Sequence, residues 1–108
     1  MRTIALSVLL AAMLVPAAFA ATTEVKIKDN FFKPELVEIH KGDQVLWRWR
    51  GSKVHNVAIR KLGSRKIAVR SDFKTSGKYT HTFGKVGTWK ILCETHPRKM
   101  RMKVVVSG

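Results

Sequence analysis

Apolar and polar residues alternate with a period of two along most of the chain after residue 23. In residues 44–50, for example, Val45, Trp47 and Trp49 point one way while Arg48 and Arg50 point the other. This spacing is typical of a half-buried β-strand. Segments of this kind, separated by turns containing Gly, Ser and Lys, predict strands at residues 24–28, 36–40, 44–50, 54–60, 66–70, 78–83, 88–92 and 101–106. No convincing 3.6-residue apolar period follows residue 20, so we predict an all-β sandwich or barrel.

The first twenty residues have a different pattern. Arg2 precedes an apolar run over residues 4–15, and Pro16 and an Ala-Phe-Ala segment at residues 18–20 follow it. This order predicts a secretory signal peptide over residues 1–20, cleaved after Ala20. The run is shorter than the roughly 20 residues that a membrane span needs, and a single membrane anchor is the alternative. Residues 21–108 are predicted to form one domain, in the periplasm or outside the cell.

Basic side chains dominate the charge. The chain has 21 Lys and Arg against 7 Asp and Glu, and Arg2 is the only charged residue among the first twenty, so residues 21–108 carry a net charge of +13. A balance of this kind informs about partners rather than about fold. It favours an acidic protein, with an anionic membrane surface or polymer as the alternative. The predicted export argues against nucleic acid.

Cys93 is the only cysteine, so this small exported domain has no internal disulfide. It lies within eight residues of His96 and Met100, and His55 lies 38 residues upstream of it. A thiolate, two imidazoles and a weak thioether are the ligand set of a blue-copper electron-transfer site. Two alternatives stay open at this point. Zinc accepts Cys and His but prefers a fourth strong ligand or an open position, and a single Cys or Met is also typical of core packing.

Three further residues have side chains that could belong to this site. His40 lies beside a turn and His81 lies inside a predicted strand, and neither has a soft ligand near it in sequence. Both are interpreted as surface or strand residues. Asn56 directly follows His55, and its amide is expected to hydrogen-bond across to the loop that carries Cys93 and so to fix both loops.

Two separated motifs resemble the plastocyanin-like cupredoxins. The resemblance covers residues 25–106, nearly all of the predicted domain, and a Trp47-Arg48-Trp49 element is similar to halocyanin-type members. The motifs agree with the family in order and in spacing. They read Val37-x-Ile39-x-Lys41-Gly42-Asp43-x-Val45-x-Trp47 with His55-Asn56-Val57, and His81-Thr82-Phe83-x-x-x-Gly87-Thr88-Trp89-x-x-x-Cys93-x-x-His96-Pro97.

This resemblance implies a fold and a site. The fold would be a Greek-key β-sandwich of about seven to eight strands, with one copper ion between loops at one end. His55, Cys93 and His96 match the three strong ligands of the family. The ring edge of His96 matches the partly exposed point of electron entry, and Pro97 matches the residue after that ligand. Asn56 and Pro97 are expected to support the ligands without binding the metal.

The fourth ligand is expected to be Met100, although its spacing departs from the family pattern. Three residues separate His96 from Met100, whereas amicyanin-like members have two and plastocyanin and pseudoazurin have four. Met102 is the rival. It leads into the closing strand, and we expect it to face the core with Val104 and Val106.

The resulting hypothesis is a monomeric carrier of single electrons between larger redox proteins. Its copper would alternate between Cu(I) and Cu(II), and an acidic redox partner would dock at His96 beside Arg98 and Lys99. A copper chaperone or store outside the cytoplasm is the second hypothesis, and a cationic domain that binds an anionic polymer or surface is the third. We expect no enzymatic activity, because four protein ligands leave no open metal position.

Overall fold

The computed structural model of the protein describes residues 20–108, so the predicted signal peptide lies outside the described residues apart from Ala20. This part of the chain contains nine strands: β1 Thr22–Lys28, β2 Phe31–Lys33, β3 Leu36–His40, β4 Gln44–Trp49, β5 Ala58–Lys61, β6 Val69–Arg70, β7 Lys78–Thr82, β8 Gly87–Leu92 and β9 Arg101–Ser107. Within it, no helix is long and apolar enough to cross a membrane.

The strands form two mixed sheets. The four-stranded sheet has the order β2-β1-β4-β7, and the five-stranded sheet has the order β3-β9-β8-β5-β6. Strands β1 and β4 are parallel, as are β3 and β9, while the other neighbours are antiparallel. Buried side chains from both sheets join in one apolar cluster. The predicted all-β sandwich is therefore confirmed.

The alternating apolar residues supply this core, as the pattern predicts. Val25 and Ile27 of β1 and Val45 and Trp47 of β4 are each 0% exposed. Burial of a whole aliphatic or aromatic side chain contributes about 1.5–3 kcal/mol relative to leaving it in water. In the other sheet, β9 has the same alternation: Met102, Val104 and Val106 are buried while Arg101 and Lys103 are exposed.

Two strands begin three or more residues later than predicted, and one strand is additional. The segment 54–60 was predicted as a strand, but β5 begins only at Ala58, because residues 54–57 leave the sheet and His55 pairs with Lys74 in an isolated bridge. Strand β6 is limited to Val69–Arg70. Strand β2 was not predicted, since its three residues are too few to show a period.

The register between β5 and β8 fixes the relative position of two loops, residues 50–57 before β5 and residues 93–100 after β8. Ala58 pairs with Leu92 in this antiparallel ladder. Beyond this pair, Asn56 and Glu94 are joined by two hydrogen bonds of the Asn56 side chain. The loop before β5 and the loop after β8 therefore meet at one end of the sandwich.

Like charges face one another on both outer sheet surfaces. In the four-stranded sheet, Lys26 pairs with Lys33 on one side and with Arg48 on the other, and Arg48 pairs with Lys78. In the five-stranded sheet, Lys90 pairs with Arg60 and with Lys103. Like charges directly opposite each other destabilise a sheet. Among the described residues, only Arg48 in these rows has an ion pair, with Glu24 at 3.4 Å.

The opposite end of the sandwich is closed by a turn around Asp43. One carboxylate oxygen accepts a hydrogen bond from the Ala21 amide and the other accepts one from the His40 amide, both at 3.0 Å. Gly42 makes this turn possible, because its φ of 96° is strained for residues with a side chain. The hydrogen bond from the Ala21 amide, which has the larger effect, and the one from the His40 amide lower the pKa of Asp43 from its ordinary value of 3.8.

Candidate metal centre

Two loops, residues 50–57 and 93–100, bring the predicted ligands together at one end of the sandwich. His55 and Cys93 are both fully buried, and His55 Nδ1 lies 3.8 Å from Cys93 Sγ. The rings of His55 and His96 lie 5.8 Å apart between centroids, with 57° between their planes. Met100 is also fully buried, at the end of the second loop. The structure thus places His55, Cys93 and His96 close to one another, with Met100 at the end of the loop that carries Cys93 and His96.

Backbone hydrogen bonds hold His55 in place. Its amide donates to the Lys74 carbonyl at 3.0 Å, and the Lys74 amide donates to the His55 carbonyl at 2.9 Å. Trp49 Nε1 donates to the same His55 carbonyl at 3.1 Å, so the last residue of β4 anchors the loop that follows it. His55 is therefore fixed to two separate segments by its backbone alone.

Asp29 contacts His55 through its side chain, although no motif in the sequence indicates this contact. Asp29 Oδ1 lies 3.1 Å from His55 Nε2. The same carboxylate accepts hydrogen bonds from the amides of Ser52 and Lys53 and from the Ser52 hydroxyl, at 2.9 to 3.1 Å. The Ser52 and Lys53 amides, followed by His55, hold the pKa of Asp29 far below its ordinary value. An ionised carboxylate thus stands behind the imidazole.

Gly51 leaves the space that Asp29 occupies. A Cβ atom on Gly51 would meet the Asp29 carboxylate and its backbone amide nitrogen at distances that real Cβ atoms do not adopt. Any side chain at this position would push the 50–57 loop away from the end of β1. The pair Asp29 and Gly51 is separated by 22 residues, and no local signal in the sequence links them.

The second loop is closed by its own hydrogen bonds. The Cys93 amide donates to the Met100 carbonyl at 3.1 Å, which ties the two ends together. The His96 amide donates to the Cys93 carbonyl at 3.0 Å, and the Met100 amide donates to the His96 carbonyl at 2.9 Å. Thr95 Oγ1 lies 3.0 Å from Cys93 Sγ, so its hydroxyl can donate to a thiolate. Cys93, His96 and Met100 thus belong to one compact turn.

Asn56 connects the two loops, as the sequence predicts. Its side-chain amide donates to Glu94 Oε1 at 2.8 Å and accepts from the Glu94 backbone amide at 2.9 Å. Arg70, which was not predicted to take part, donates to both Glu94 oxygens at 2.9 and 3.0 Å. The Arg70 hydrogen bond is the main cause of the lowered pKa of Glu94. A charged network therefore braces the loops from outside.

The two candidate methionines have different surroundings. Met102 lies in β9, is 2% exposed, and accepts a hydrogen bond from Trp47 Nε1 at its sulfur, at 3.3 Å. It faces the core with Val104 and Val106, as expected. Met100 precedes β9 and lies in the loop with Cys93 and His96. These positions favour Met100 over Met102 as the axial ligand.

The remaining residues of the second loop face solvent. His96 is partly exposed, and Pro97, Arg98 and Lys99 are exposed.

The other two histidines lie apart from this loop. His40 is exposed at the end of β3. His81 lies in β7 and packs edge-on against Phe83, which follows that strand, at 4.7 Å between ring centroids. Both are therefore the surface and strand residues that were expected.

The donor atoms fit a first-row transition metal. Metal–nitrogen bonds of about 2.0–2.1 Å and metal–sulfur bonds of about 2.3 Å, at a trigonal angle of about 120°, separate nitrogen and sulfur by about 3.8 Å. This matches the distance between His55 Nδ1 and Cys93 Sγ. Across residues 20–108, no three His, Cys, Asp or Glu side chains already form a metal cage. The fit therefore depends on this pair and on the nearby placement of His96 and Met100.

Comparisons with known proteins agree on one family and one fold. Residues 3–106 match the family described as Cupredoxin-like domain. The chain is 32% identical over 119 residues to amicyanin-alpha of Methylorubrum extorquens, covering 98% of this chain and 99% of the relative. Two solved structures are similar. One is a purple cupredoxin from Nitrosopumilus maritimus, with a TM-score of 0.69, 25% identity and coverage of 79% of this chain and 99% of that chain. The other is a Cu(I) mutant of amicyanin, with a TM-score of 0.68, 29% identity and coverage of 86% and 87%.

Proposed function

The chain belongs to the family of cupredoxin-like domains, and on that premise we propose that it binds one copper ion and carries single electrons between larger redox proteins. His55, Cys93 and His96 would be the strong ligands and Met100 the weak axial one. Copper held by these donors would accept and release one electron. The single observation that carries the proposal is the 3.8 Å distance between His55 Nδ1 and Cys93 Sγ, on two fully buried residues.

Retention of the metal distinguishes a carrier from a copper chaperone or store. A chaperone has to expose its ligands and release them readily. Here His55, Cys93 and Met100 are 0% exposed, and hydrogen bonds tie the two loops to each other and to β1. A site with so little freedom favours retention through a change of oxidation state, so the carrier is the better supported of the two functions.

His96 would be the point of electron entry and exit. It is the one proposed ligand with an exposed part, and Arg98 and Lys99 stand beside it on the surface. We propose an acidic redox protein as the partner, with an anionic membrane surface as the alternative. The site of action would be the periplasm or the outside of the cell, after cleavage following Ala20.

The copper–thiolate bond is tested by the optical spectrum. The processed protein loaded with Cu(II) is expected to show intense visible absorption from charge transfer between the Cys93 thiolate and copper. Cys93→Ser is expected to abolish this band, because the hydroxyl does not supply a thiolate. Ser107→Ala, in β9 at the opposite end of the sandwich, is the control that should keep it. An unchanged spectrum in Cys93→Ser would contradict the proposed site.

Redox cycling in the presence of a Cu(I) chelator separates the carrier from the store. A carrier keeps its copper and its absorption through repeated reduction and oxidation. A store transfers Cu(I) to the chelator at the first reduction and loses the band. The second result would reject electron transfer and retain copper handling.

A further inference from the structure

We propose that Asp29 is a positioning residue for the metal: its carboxylate fixes the His55 imidazole with the proton on Nε2, aims the free Nδ1 lone pair at the site, and adds a negative charge that stabilises Cu(II). This inference rests on the proposed function for its redox part. The tautomer of His55 belongs to the protein itself and can be tested without copper.

The geometry places two different partners on the two ring nitrogens of His55. Asp29 Oδ1 lies 3.1 Å from Nε2, and Cys93 Sγ lies 3.8 Å from Nδ1. An ionised carboxylate only accepts hydrogen bonds, so Nε2 has to carry a proton. In the neutral ring, Nδ1 is then left as an unprotonated donor atom on the side of the thiol. The hydrogen bond at one nitrogen thus selects the metal-binding state of the other.

The surroundings of Asp29 are built to hold an ionised carboxylate in this place. Three donors of Ser52 and Lys53 converge on it in addition to His55. Glycine is the only residue type at position 51 that leaves room for the Asp29 carboxylate. The hydrogen bonds from Ser52 and Lys53 would hold the 50–57 loop against Asp29 even without His55. Holding the loop therefore does not by itself explain why Asp29 also contacts the His55 ring.

The charge has a definite effect on the two oxidation states. A negative charge behind a ligand makes the imidazole a stronger donor and favours the more highly charged ion. Asp29 is 30% exposed at its side chain, so water screens part of this effect. Cu(II) is still stabilised more than Cu(I). The carboxylate therefore lowers the reduction potential relative to a neutral residue of the same shape.

Two variants separate the charge from the hydrogen bond. Asp29→Asn removes the charge but keeps an oxygen for His55 and the amides, and its NH₂ group can donate to the Ser52 hydroxyl. Asp29→Ala removes both. Glu38→Gln is the control, because it removes one charge from an exposed residue of β3, an edge strand that pairs with β9 and carries no proposed ligand.

Nitrogen NMR of the copper-free protein reads the tautomer, at a pH where the ring is neutral. We expect the Nε2–H form in the wild type and in Asp29→Asn, and a mixture with Nδ1–H in Asp29→Ala. A wild-type ring that carries its proton on Nδ1 overturns the positioning role. This readout stays decisive if the protein binds no copper, a result that would reject the proposed function alone.

Measurements of copper affinity and of the reduction potential by voltammetry test the effect of the Asp29 charge. For Asp29→Asn we expect about a tenfold loss of Cu(II) affinity, in the range found for partners of metal ligands, with little change for Cu(I). A tenfold change in this ratio corresponds to a rise in potential of about 59 mV for one electron. Glu38→Gln should leave the potential nearly unchanged. A potential in Asp29→Asn equal to that of the control overturns the electrostatic role and leaves Asp29 as a loop clamp.

Discussion

At the scale of single residues, the two methionines near the C-terminus differ in what their sulfur atoms contact. Trp47 Nε1 donates to the Met102 sulfur inside the core, at 3.3 Å. Met100 lies in the loop just before β9 begins, and its amide donates a hydrogen bond to the His96 carbonyl. One sulfur already has a hydrogen-bond donor, and the other is in the ligand loop.

Replacing each methionine by glutamine distinguishes a ligand from a core residue. Met100→Gln offers a harder oxygen donor, which favours Cu(II), so the reduction potential is expected to fall. Met102→Gln buries an amide among apolar residues and is expected to lower the free energy of unfolding by about 1–3 kcal/mol. Voltammetry of the copper protein and denaturant unfolding of the copper-free protein measure the two effects. A shift of potential in Met102→Gln alone would reverse the assignment.

The residue types of the site could be predicted from the sequence, whereas most of their supporting contacts could not. Cys93, His96 and Met100 lie close together in the chain, and His55 has a chemistry that matches them. Asp29 reaches His55 across 26 residues, and its role depends on the space above Gly51. Contacts of this kind are set by packing between elements, which leaves no pattern along the chain.

At the scale of elements, the ladder between β5 and β8 does most to build the site. Alternation of apolar residues predicts both strands, but it does not predict the register in which Ala58 meets Leu92. A shift by one residue would turn every side chain of β5 to the other face. It would also separate Asn56 from Glu94. The two hydrogen bonds between these residues, which connect the loops just beyond the ladder, would then be lost. The pairing of loops is thus a property of the sheet.

The turn at the other end supplies a prediction about acid stability. Because the folded pKa of Asp43 is lowered from 3.8, its contribution to stability is fully present above that ordinary value and is lost as the pH falls through the lower folded pKa. Asp43→Asn cannot titrate, so its free energy of unfolding is expected to be lower than that of the wild type near neutral pH. The difference should shrink in acid. Denaturant unfolding from about pH 2 to 7 measures both curves.

A control separates the turn from net charge. Glu38→Gln removes one negative charge from β3 without breaking the hydrogen bonds to the Ala21 and His40 amides. If the gap between wild type and Asp43→Asn stays constant over the whole pH range, the Asp43 carboxylate does not contribute through its ionisation.

At the scale of the whole molecule, positive charge covers both outer sheet surfaces as well as the exposed ligand loop. Lys26, Arg48 and Lys78 lie in one row, and Lys90 and Lys103 lie in another. Sequence composition predicts the net charge of +13 but not its arrangement. Because both surfaces are basic, the long-range field would attract the proposed acidic partner from any direction, and the charges beside His96 would orient it in the final complex.

Electron transfer with an acidic partner is therefore expected to slow as salt rises. The Debye length falls from about 30 Å at 0.01 M to about 8 Å at 0.15 M salt, and steering of this kind changes association rates by roughly tenfold or more. Arg98→Glu combined with Lys99→Glu should flatten this dependence while leaving the copper spectrum unchanged. Stopped-flow kinetics over an ionic-strength series gives the slope.

The matched control has the same change of net charge at the far end of the sandwich. Lys41 follows β3 and hydrogen-bonds to Ser107, and Lys85 precedes β8, so both are remote from the ligand loop. Lys41→Glu combined with Lys85→Glu should keep most of the salt dependence. Equal slopes in the two double variants would mean that net charge alone, and no surface beside His96, guides the encounter.

The hydrogen bond between the Ala21 nitrogen and Asp43 has a consequence for the maturation of the protein. In the precursor, this nitrogen is a peptide amide, 3.0 Å from a carboxylate oxygen. Cleavage after Ala20, as proposed, converts it to a terminal ammonium group with an ordinary pKa of about 7.7–8.0. A hydrogen bond from a neutral amide to the Asp43 carboxylate then becomes an ion pair between the new terminus and the turn after β3. Removal of the leader would thus strengthen the fold at the same place where the chain is cut, and the processed protein would be more stable than its precursor.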